Sequence, residues 1–224
     1  MEVTVRMCHK RLGVACIVAS VLALGLAQTS AEQLSTRPAE EWVKTLDRPE
    51  RLAGLNIDEV IARLRLKPGD VVADLGAGAG AFSVPFGKTV SPGGKVYAVD
   101  IDEGFFDYIK GKAMADQVTN VQTVLGAFMD PNLPVEVDVA FFHDVLHHIE
   151  DRVGYLKNLA PYVKPTGRVA IIDFDGERGP HSAAPELQFT KDQLTMWMAA
   201  AGFRPAEEHF DVFEDKFFAV YTRQ

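Results

Sequence analysis

The sequence predicts an α/β fold: a three-layer sandwich on a mostly parallel seven-stranded sheet, with an antiparallel hairpin at its C-terminal edge. Two observations lead to this prediction. Short apolar runs alternate with helix-like segments from residue 57 to residue 201, which is typical of a parallel sheet covered by helices on both faces. The last two strand-like runs, 206–213 and 216–223, are joined by Glu214 and Asp215 alone, a connection too short for a parallel crossover.

The predicted elements follow one another in a regular order. A helix is predicted over 57–66, where Val60, Ile61 and Leu64 share one face. Strands are predicted at 71–76, 95–100, 121–127, 138–142, 168–174, 206–213 and 216–223. The helices between them are predicted at 82–90, 102–116, 150–162 and 190–201.

The composition limits the class of protein. The chain has 224 residues, of which 47% are hydrophobic and 24% charged, as in an ordinary globular domain. The formal net charge of −8, without a basic block, speaks against a nucleic-acid partner. The two cysteines, Cys8 and Cys16, exclude a disulfide scaffold and a four-cysteine zinc site.

The N-terminus has the three parts of a secretory signal peptide. Arg6, Lys10 and Arg11 precede an apolar run from Leu12 to Ala27, and small residues follow that run. We therefore expect residues 1–31 to be a signal peptide and the protein to be exported, in a bacterium to the periplasm. The alternative is an uncleaved membrane anchor, although the run is short for a full span. Contact with a membrane is expected only through this segment, if it remains uncleaved.

The remaining chain is predicted to form one domain with a helical extension before it. Residues 32–55 are assigned to the extension, because Trp42 and Leu46 stand at helical spacing and Pro49 is predicted to break the helix. Residues 56–224 are assigned to the main domain. The oligomeric state is left open.

The strongest functional signal follows the first strand, where Asp74 precedes three alternating glycines, Gly76, Gly78 and Gly80. In an open parallel sheet, ligands bind beyond the carboxyl ends of the strands. Glycines there let the backbone approach a ligand and turn sharply into a helix. Asp100 ends the second strand, and its carboxylate can accept hydrogen bonds from ribose hydroxyls. The same glycines also satisfy the dinucleotide pattern, so the loop alone leaves the cofactor class open.

Together these residues resemble a class I S-adenosylmethionine-dependent methyltransferase, in particular the small-molecule branch and its exported bacterial members. The resemblance covers about residues 56–223. It also rests on Lys67-Pro68-Gly69 before the first strand, on Asp138 at the start of the fourth, and on the segment 163–167. Asp74 followed by alternating glycines favours the methyltransferase over the dinucleotide interpretation. The resemblance implies a Rossmann-like fold, S-adenosyl-L-methionine as cofactor and a small-molecule methyl acceptor.

The resemblance also implies a role for individual residues. Asp74 and the glycine loop would hold the methionine part of the cofactor, Asp100 the ribose, and Ile101 the adenine. Ala127 and Phe128 stand where relatives often carry an acidic residue facing the adenine amine, so either the Phe128 ring or backbone groups would take its place. The cofactor-binding residues implied are Asp74, Gly76, Ala77, Gly78, Gly80, Asp100, Ile101, Ala127 and Phe128.

A polar cluster follows the fourth strand, at the same end of the sheet as the glycine loop. His143 and His147 are four residues apart, so on a helix they would share a face with a possible metal ligand in Asp144. No third well-spaced ligand is evident, so no metal is expected. Methyl transfer often requires the acceptor to lose a proton, and a base serves that need. His147, Asp144 and His143 are therefore predicted as catalytic residues, with capping or packing as the structural alternative.

A second acidic pair stands at the end of the fifth strand. Asp173 and Asp175 would share a face if the strand continued through both, and their charges would repel. The strand is therefore expected to end between them.

Three functions remain open at this point. The first is an S-adenosylmethionine-dependent methyltransferase acting on an unidentified small molecule. The second is an NAD(P)-dependent oxidoreductase, which the same loop would also allow. The third is a non-catalytic periplasmic module that binds a nucleoside-like ligand, because export separates the protein from a cofactor made in the cytoplasm.

Overall fold

The computed structural model describes residues 37–176 and 184–224, which include a seven-stranded sheet with helices around it. The strands are Val71–Leu75 (β1), Lys95–Asp100 (β2), Val121–Leu125 (β3), Val137–His143 (β4), Val163–Phe174 (β5), Phe203–Glu208 (β6) and Lys216–Arg223 (β7). Their order across the sheet is β3-β2-β1-β4-β5-β7-β6. The pairs of β7 with β5 and β6 are antiparallel, and the other pairs are parallel. The predicted fold class, including the antiparallel C-terminal hairpin, is confirmed.

The helices begin and end close to the predicted positions. They are Ala39–Leu46 (α1), Pro49–Gly54 (α2), Ile57–Leu64 (α3), Ser83–Val90 (α4), Phe106–Ala115 (α5), Arg152–Leu159 (α6) and Lys191–Ala200 (α7). The helix predicted over 102–116 is divided, since a short 3-10 turn, Glu103–Phe105, precedes α5. In the part of the chain described here, no helix is both long and apolar enough to cross a bilayer. The signal peptide predicted for residues 1–31 lies outside the described residues.

Hydrophobic side chains fill both faces of the sheet. Along β4, Ala140 and Phe142 join the core on one face, and Val139 and Phe141 join the core on the other. All four side chains are at most 1% exposed. A strand covered on both sides must be apolar throughout, which explains the continuous apolar runs in the sequence.

The boundaries of two strands, β5 and β6, differ most from the prediction. β6 begins at Phe203 rather than at residue 206, because the fully buried Phe203 pairs with Arg223 and so sets the register of the hairpin. Residues 209–215 consequently form the turn instead of continuing the strand. β5 begins at Val163 rather than at residue 168, and its register with β4 shifts between Val137 and Val139. As expected, β5 ends at Phe174, between Asp173 and Asp175.

The N-terminal segment packs against the main domain. Pro49, the predicted break, is the first residue of α2. Trp42 and Leu46 on α1 pack against a small core cluster that includes Phe105 and Ile109. The Lys112 ammonium also donates a hydrogen bond of 2.7 Å to Asp47. These contacts bring α1 and α2 to the carboxyl ends of the strands, where the glycine loop lies.

Candidate active site

A cavity of about 620 Å³ lies at the carboxyl ends of β1, β2 and β4. The glycine loop, the end of β2, the turn after β3 and the turn after β4 each form part of its wall. The N-terminal segment supplies the remaining wall, through Trp42, Leu46, Arg51 and Leu55. The two predicted groups of site residues, after β1 and after β4, therefore border one cavity.

The glycine loop has a backbone that other residues adopt only under strain. Gly76, Gly78 and Gly80 have φ angles of 71°, 49° and 78°. A Cβ added to Gly76 would lie 2.7 Å from Cγ1 of Val145 and closer still to Cγ2, so packing also requires glycine there. The amides of Gly76 and Ala77 both donate to the carbonyl of Val99 at 2.9 Å. The loop is thus fixed to the end of β2.

Asp100 joins the glycine loop to the cavity. Its carboxylate is 9% exposed and accepts a hydrogen bond from the Gly78 amide at one oxygen (2.8 Å) and from the Asp102 amide at the other (3.1 Å). Burial raises the pKa of Asp100, while these amides counteract that effect. Each carboxylate oxygen can accept a further bond, which leaves capacity for two ligand hydroxyls.

Asp74 lies deeper, at the base of the loop. It is 3% exposed and accepts a hydrogen bond from the Ser83 hydroxyl. Burial raises the pKa of Asp74 to about 7, and nearby Asp100 contributes in the same direction. A cationic ligand group beside Asp74 would favour its ionised form.

The other residues predicted to bind a cofactor divide into two groups. Ile101, Ala127 and Phe128 line the cavity with the residues above. Gly80 does not reach the wall. A Cβ there would lie 3.0 Å from Cγ1 of Ile109, so this glycine permits close packing of α5.

His143 and Asp144 also line the cavity, next to the loop, but they do not lie on a helix. His143 ends β4, Asp144 has a left-handed φ of 56°, and His147 lies in the 3-10 turn Leu146–His148. The expectation that His143 and His147 share a helical face is therefore wrong. The Asp144 amide donates to the carbonyl of Ile172 at 3.0 Å, which fixes the turn.

The Asp144 carboxylate lies between a histidine and a lysine. Its Oδ2 is 3.3 Å from Nδ1 of His143 and 2.8 Å from Nζ of Lys216. Burial by itself raises the pKa of Asp144, but the interactions with His143, Lys216 and Arg51 together outweigh burial and hold the pKa below its usual value. The carboxylate is therefore ionised at neutral pH.

His143 is neutral under the same conditions. Burial lowers the pKa of His143 to about 3, and Lys216 and Arg51 lower it further, whereas Asp144 opposes them. An anionic carboxylate beside Nδ1 favours the tautomer that carries its proton there. Nε2 then has a lone pair, and it has no hydrogen-bond partner within residues 37–176 and 184–224. A pKa this low makes His143 a weak base, so it suits a hydrogen-bond acceptor better than a general base.

His147 is directed away from the cavity. Its Nδ1 is 2.7 Å from the carboxylate of Asp173, whose other oxygen accepts the His147 amide at 3.2 Å. His147 is 3% exposed and Asp173 is fully buried. The His147 ring lies 4.0 Å from that of His148, which does line the cavity. Of the three predicted catalytic residues, His143 and Asp144 are thus brought to the wall, and His147 lies behind it.

Sequence analysis missed several residues of the wall. Tyr155 on α6 lines the cavity, and burial raises the pKa of its hydroxyl. Arg51 on α2 is the only arginine or lysine on the wall in the part of the chain that is described. The spacing of Trp42 and Leu46 indicated a buried face, but no local pattern singled out Arg51. In the same described ranges, no group of three or more potential metal-ligating His, Cys, Asp or Glu side chains is present.

Comparison with known proteins identifies a protein family that this chain matches. A family profile described as "Methyltransferase domain" matches residues 66–212. The ubiquinone/menaquinone biosynthesis C-methyltransferase of Burkholderia orbicola is 25% identical over 149 residues. That alignment covers 66% of this chain and 60% of the enzyme, so the chain matches less than two thirds of its relative.

Two solved structures share the fold. A SAM-dependent methyltransferase from Aquifex aeolicus superposes with a TM-score of 0.70 and 27% identity, over 81% of this chain and 96% of that one. The magnesium protoporphyrin IX methyltransferase of Synechocystis PCC 6803, with bound SAM, also gives 0.70, at 19% identity over 89% and 100% of the two chains. At that identity the second likeness concerns the fold alone.

Proposed function

The chain belongs to the methyltransferase-domain family, and from this premise we propose that it transfers a methyl group from S-adenosylmethionine to a small-molecule acceptor. One observation carries the proposal: a single cavity is bordered both by the glycine loop, which Asp100 holds, and by His143 and Asp144. A small acceptor is supported by the Burkholderia orbicola relative, which is a C-methyltransferase of quinone biosynthesis.

The residues of the cavity fit this cofactor. The left-handed glycine loop provides a narrow cradle, and Asp100 retains two acceptor positions for a ribose diol. Asp74 suits the ammonium of the methionine part, and Ile101 and Phe128 offer apolar contacts to the adenine ring. When bound, S-adenosylmethionine supplies a methyl group activated by a sulfonium.

His143 and Asp144 act on the acceptor in this proposal. Neutral His143 and ionised Asp144 would orient the acceptor by hydrogen bonding, while the low pKa of His143 makes it a weak base for the proton that the acceptor loses. Lys216 fixes the Asp144 carboxylate, with its ammonium 2.8 Å away. His147 and Asp173 support the turn that carries His148. Much of the rate is assigned to alignment of the two substrates within the cavity.

Calorimetric titration with S-adenosylmethionine, with NAD as the control ligand, tests the cofactor. Binding of S-adenosylmethionine alone supports the proposal and would be followed by a screen of small phenols, amines and carbon acids. Binding of NAD alone would contradict the proposal in favour of an oxidoreductase. Binding of neither would favour the non-catalytic module for a nucleoside-like ligand.

We also propose that the protein is exported and that the segment 1–31 directs it. The support is the basic start, apolar run and small-residue exit of that segment. N-terminal sequencing of the protein recovered from the periplasm of the producing bacterium tests this. A new N-terminus after Ala27 or Ala31 is expected, whereas protein that stays in the cytoplasm with residues 1–31 intact would contradict it.

A further inference from the structure

The charges on the cavity wall are strongly unequal. Six carboxylates border the cavity: Asp74, Asp100, Asp102, Asp144, Glu150 and Asp151. Arg51 is the only arginine or lysine on the wall within residues 37–176 and 184–224. A ligand carboxylate placed near these acids would be repelled unless a cation adjoined it. Any anionic group bound in this cavity is therefore expected beside Arg51.

The guanidinium of Arg51 is held in place from one side. Its Nη1 donates a hydrogen bond of 3.1 Å to the carbonyl of Leu46, the last residue of α1. This bond uses one of the five donors of a guanidinium. Burial lowers the pKa of Arg51, with Asp144 and Asp47 opposing, yet an arginine side chain keeps its charge in a protein. Asp144 itself already has Lys216 as a close partner at 2.8 Å.

The position of Leu46 relates Arg51 to the glycine loop. A Cβ added to Gly78 would lie 3.1 Å from Cδ1 of Leu46, so α1 packs directly onto this loop. Arg51, bonded to the same Leu46, consequently borders the region where the methionine part is expected. Asp74 lies at the base of that region. A carboxyl group and a guanidinium thus border the region where the zwitterionic methionine part is expected to bind.

From this geometry we propose that Arg51 binds the α-carboxylate of the methionine part of S-adenosylmethionine, while Asp74 faces its ammonium. This inference rests on the proposed function. It makes the N-terminal segment a functional part of the cofactor site, because α2 supplies the only guanidinium among the described wall residues. A planar guanidinium suits this role, since it can donate two parallel bonds to one carboxylate.

The test compares two ligands that differ by one carboxylate, S-adenosylmethionine and its decarboxylated analogue. Both are titrated calorimetrically into the wild type, Arg51→Met and Arg51→Lys. Arg48→Met is the matched control, because Arg48 is an exposed arginine of the same segment that does not line the cavity. Arg51→Met is expected to lower the affinity for S-adenosylmethionine about ten- to a hundred-fold, which is the loss expected when charge-assisted hydrogen bonds are removed. Arg51→Lys should restore part of that affinity.

The decarboxylated analogue, which is a stronger cation, should bind Arg51→Met at least as tightly as the wild type, which also shows that the variant is folded. Equal losses for both ligands would overturn the inference, because Arg51 would then only support the wall. Unchanged affinity of Arg51→Met for S-adenosylmethionine would overturn it as well and place the carboxylate elsewhere. If the wild type bound neither ligand, the proposed function would fail instead.

Discussion

Replacement of Asp100 by asparagine tests how the cavity binds a nucleoside. The amide has nearly the shape of the carboxylate but only one acceptor oxygen. In the structure, each carboxylate oxygen receives one backbone amide, from Gly78 and from Asp102. In Asp100→Asn the side-chain NH2 would face one of these N–H groups, which would lose its partner.

The expected losses of stability and of ligand affinity follow from the hydrogen bonds that Asp100→Asn removes. An unsatisfied amide costs about 1–3 kcal/mol of the free energy of unfolding if it stays away from water. For binding, one ribose bond is lost and the other becomes a bond to a neutral acceptor. Together these changes weaken binding by about 2–4 kcal/mol. We therefore expect the Kd for S-adenosylmethionine to rise about thirty- to several-hundred-fold.

Titration calorimetry measures the Kd, and urea denaturation without ligand measures the stability. Asp107→Asn is the control, since the Asp107 side chain is 96% exposed and its only ion pair within the described ranges is with Lys110 at 3.5 Å. That variant should match the wild type in both measurements. A folded Asp100→Asn protein with wild-type affinity would refute the placement of the ribose at Asp100. Unchanged stability would refute the role of this carboxylate in holding the glycine loop.

Three further predictions concern the loop and the polar wall. Gly76→Ala should lower the free energy of unfolding by about 1–3 kcal/mol in urea denaturation, because of its left-handed φ and its clash with Val145. Adding Val145→Ala should recover only the part of this loss that is due to the clash. Wild-type stability of the single variant would contradict both causes. Burial raises the pKa of Asp74 to about 7, so below that pH the Asp74 carboxyl is mostly protonated in the folded protein. An ammonium ligand must then displace this proton in order to bind. Calorimetry should show affinity for S-adenosylmethionine falling below about pH 7 in the wild type but not in Asp74→Asn, and parallel profiles would exclude Asp74 as the ammonium partner. Lys216→Met should lower the free energy of unfolding by about 1–3 kcal/mol and raise the pKa of Asp144, which NMR titration measures. Lys216→Arg is the control that preserves the charge. An unshifted pKa would show that Lys216 does not set the charge of that carboxylate.

Local sequence patterns predicted most of the scaffold. Continuous apolar runs identified the strands because β1 and β4 are buried on both faces of the sheet. The turn over Gly76, Gly78 and Gly80 was predictable for a similar reason, since the left-handed backbone that it adopts is a property of single residues. The site at this edge followed from topology, because parallel strands bring their carboxyl ends together.

Predictions that depended on long-range pairing were less accurate. The strand predicted at 206–213 begins at Phe203 instead, because pairing with Arg223 sets its register. The two neighbouring histidines were also assigned a common face, yet each is directed by a different aspartate. His143 faces Asp144 on the cavity wall, and His147 binds Asp173, 26 residues along the chain.

Residue type and local periodicity were enough to predict the fold class, the glycine loop, Asp100 and the position of the polar cluster after β4. Packing between distant segments places α1 and α2 against the cavity and brings Arg51 to its wall. The same packing brings His143 and His148 to the cavity and surrounds Asp144 with Lys216 and Arg51. These features depend on packing between segments that are distant in the chain, and no local pattern of residues encodes such contacts.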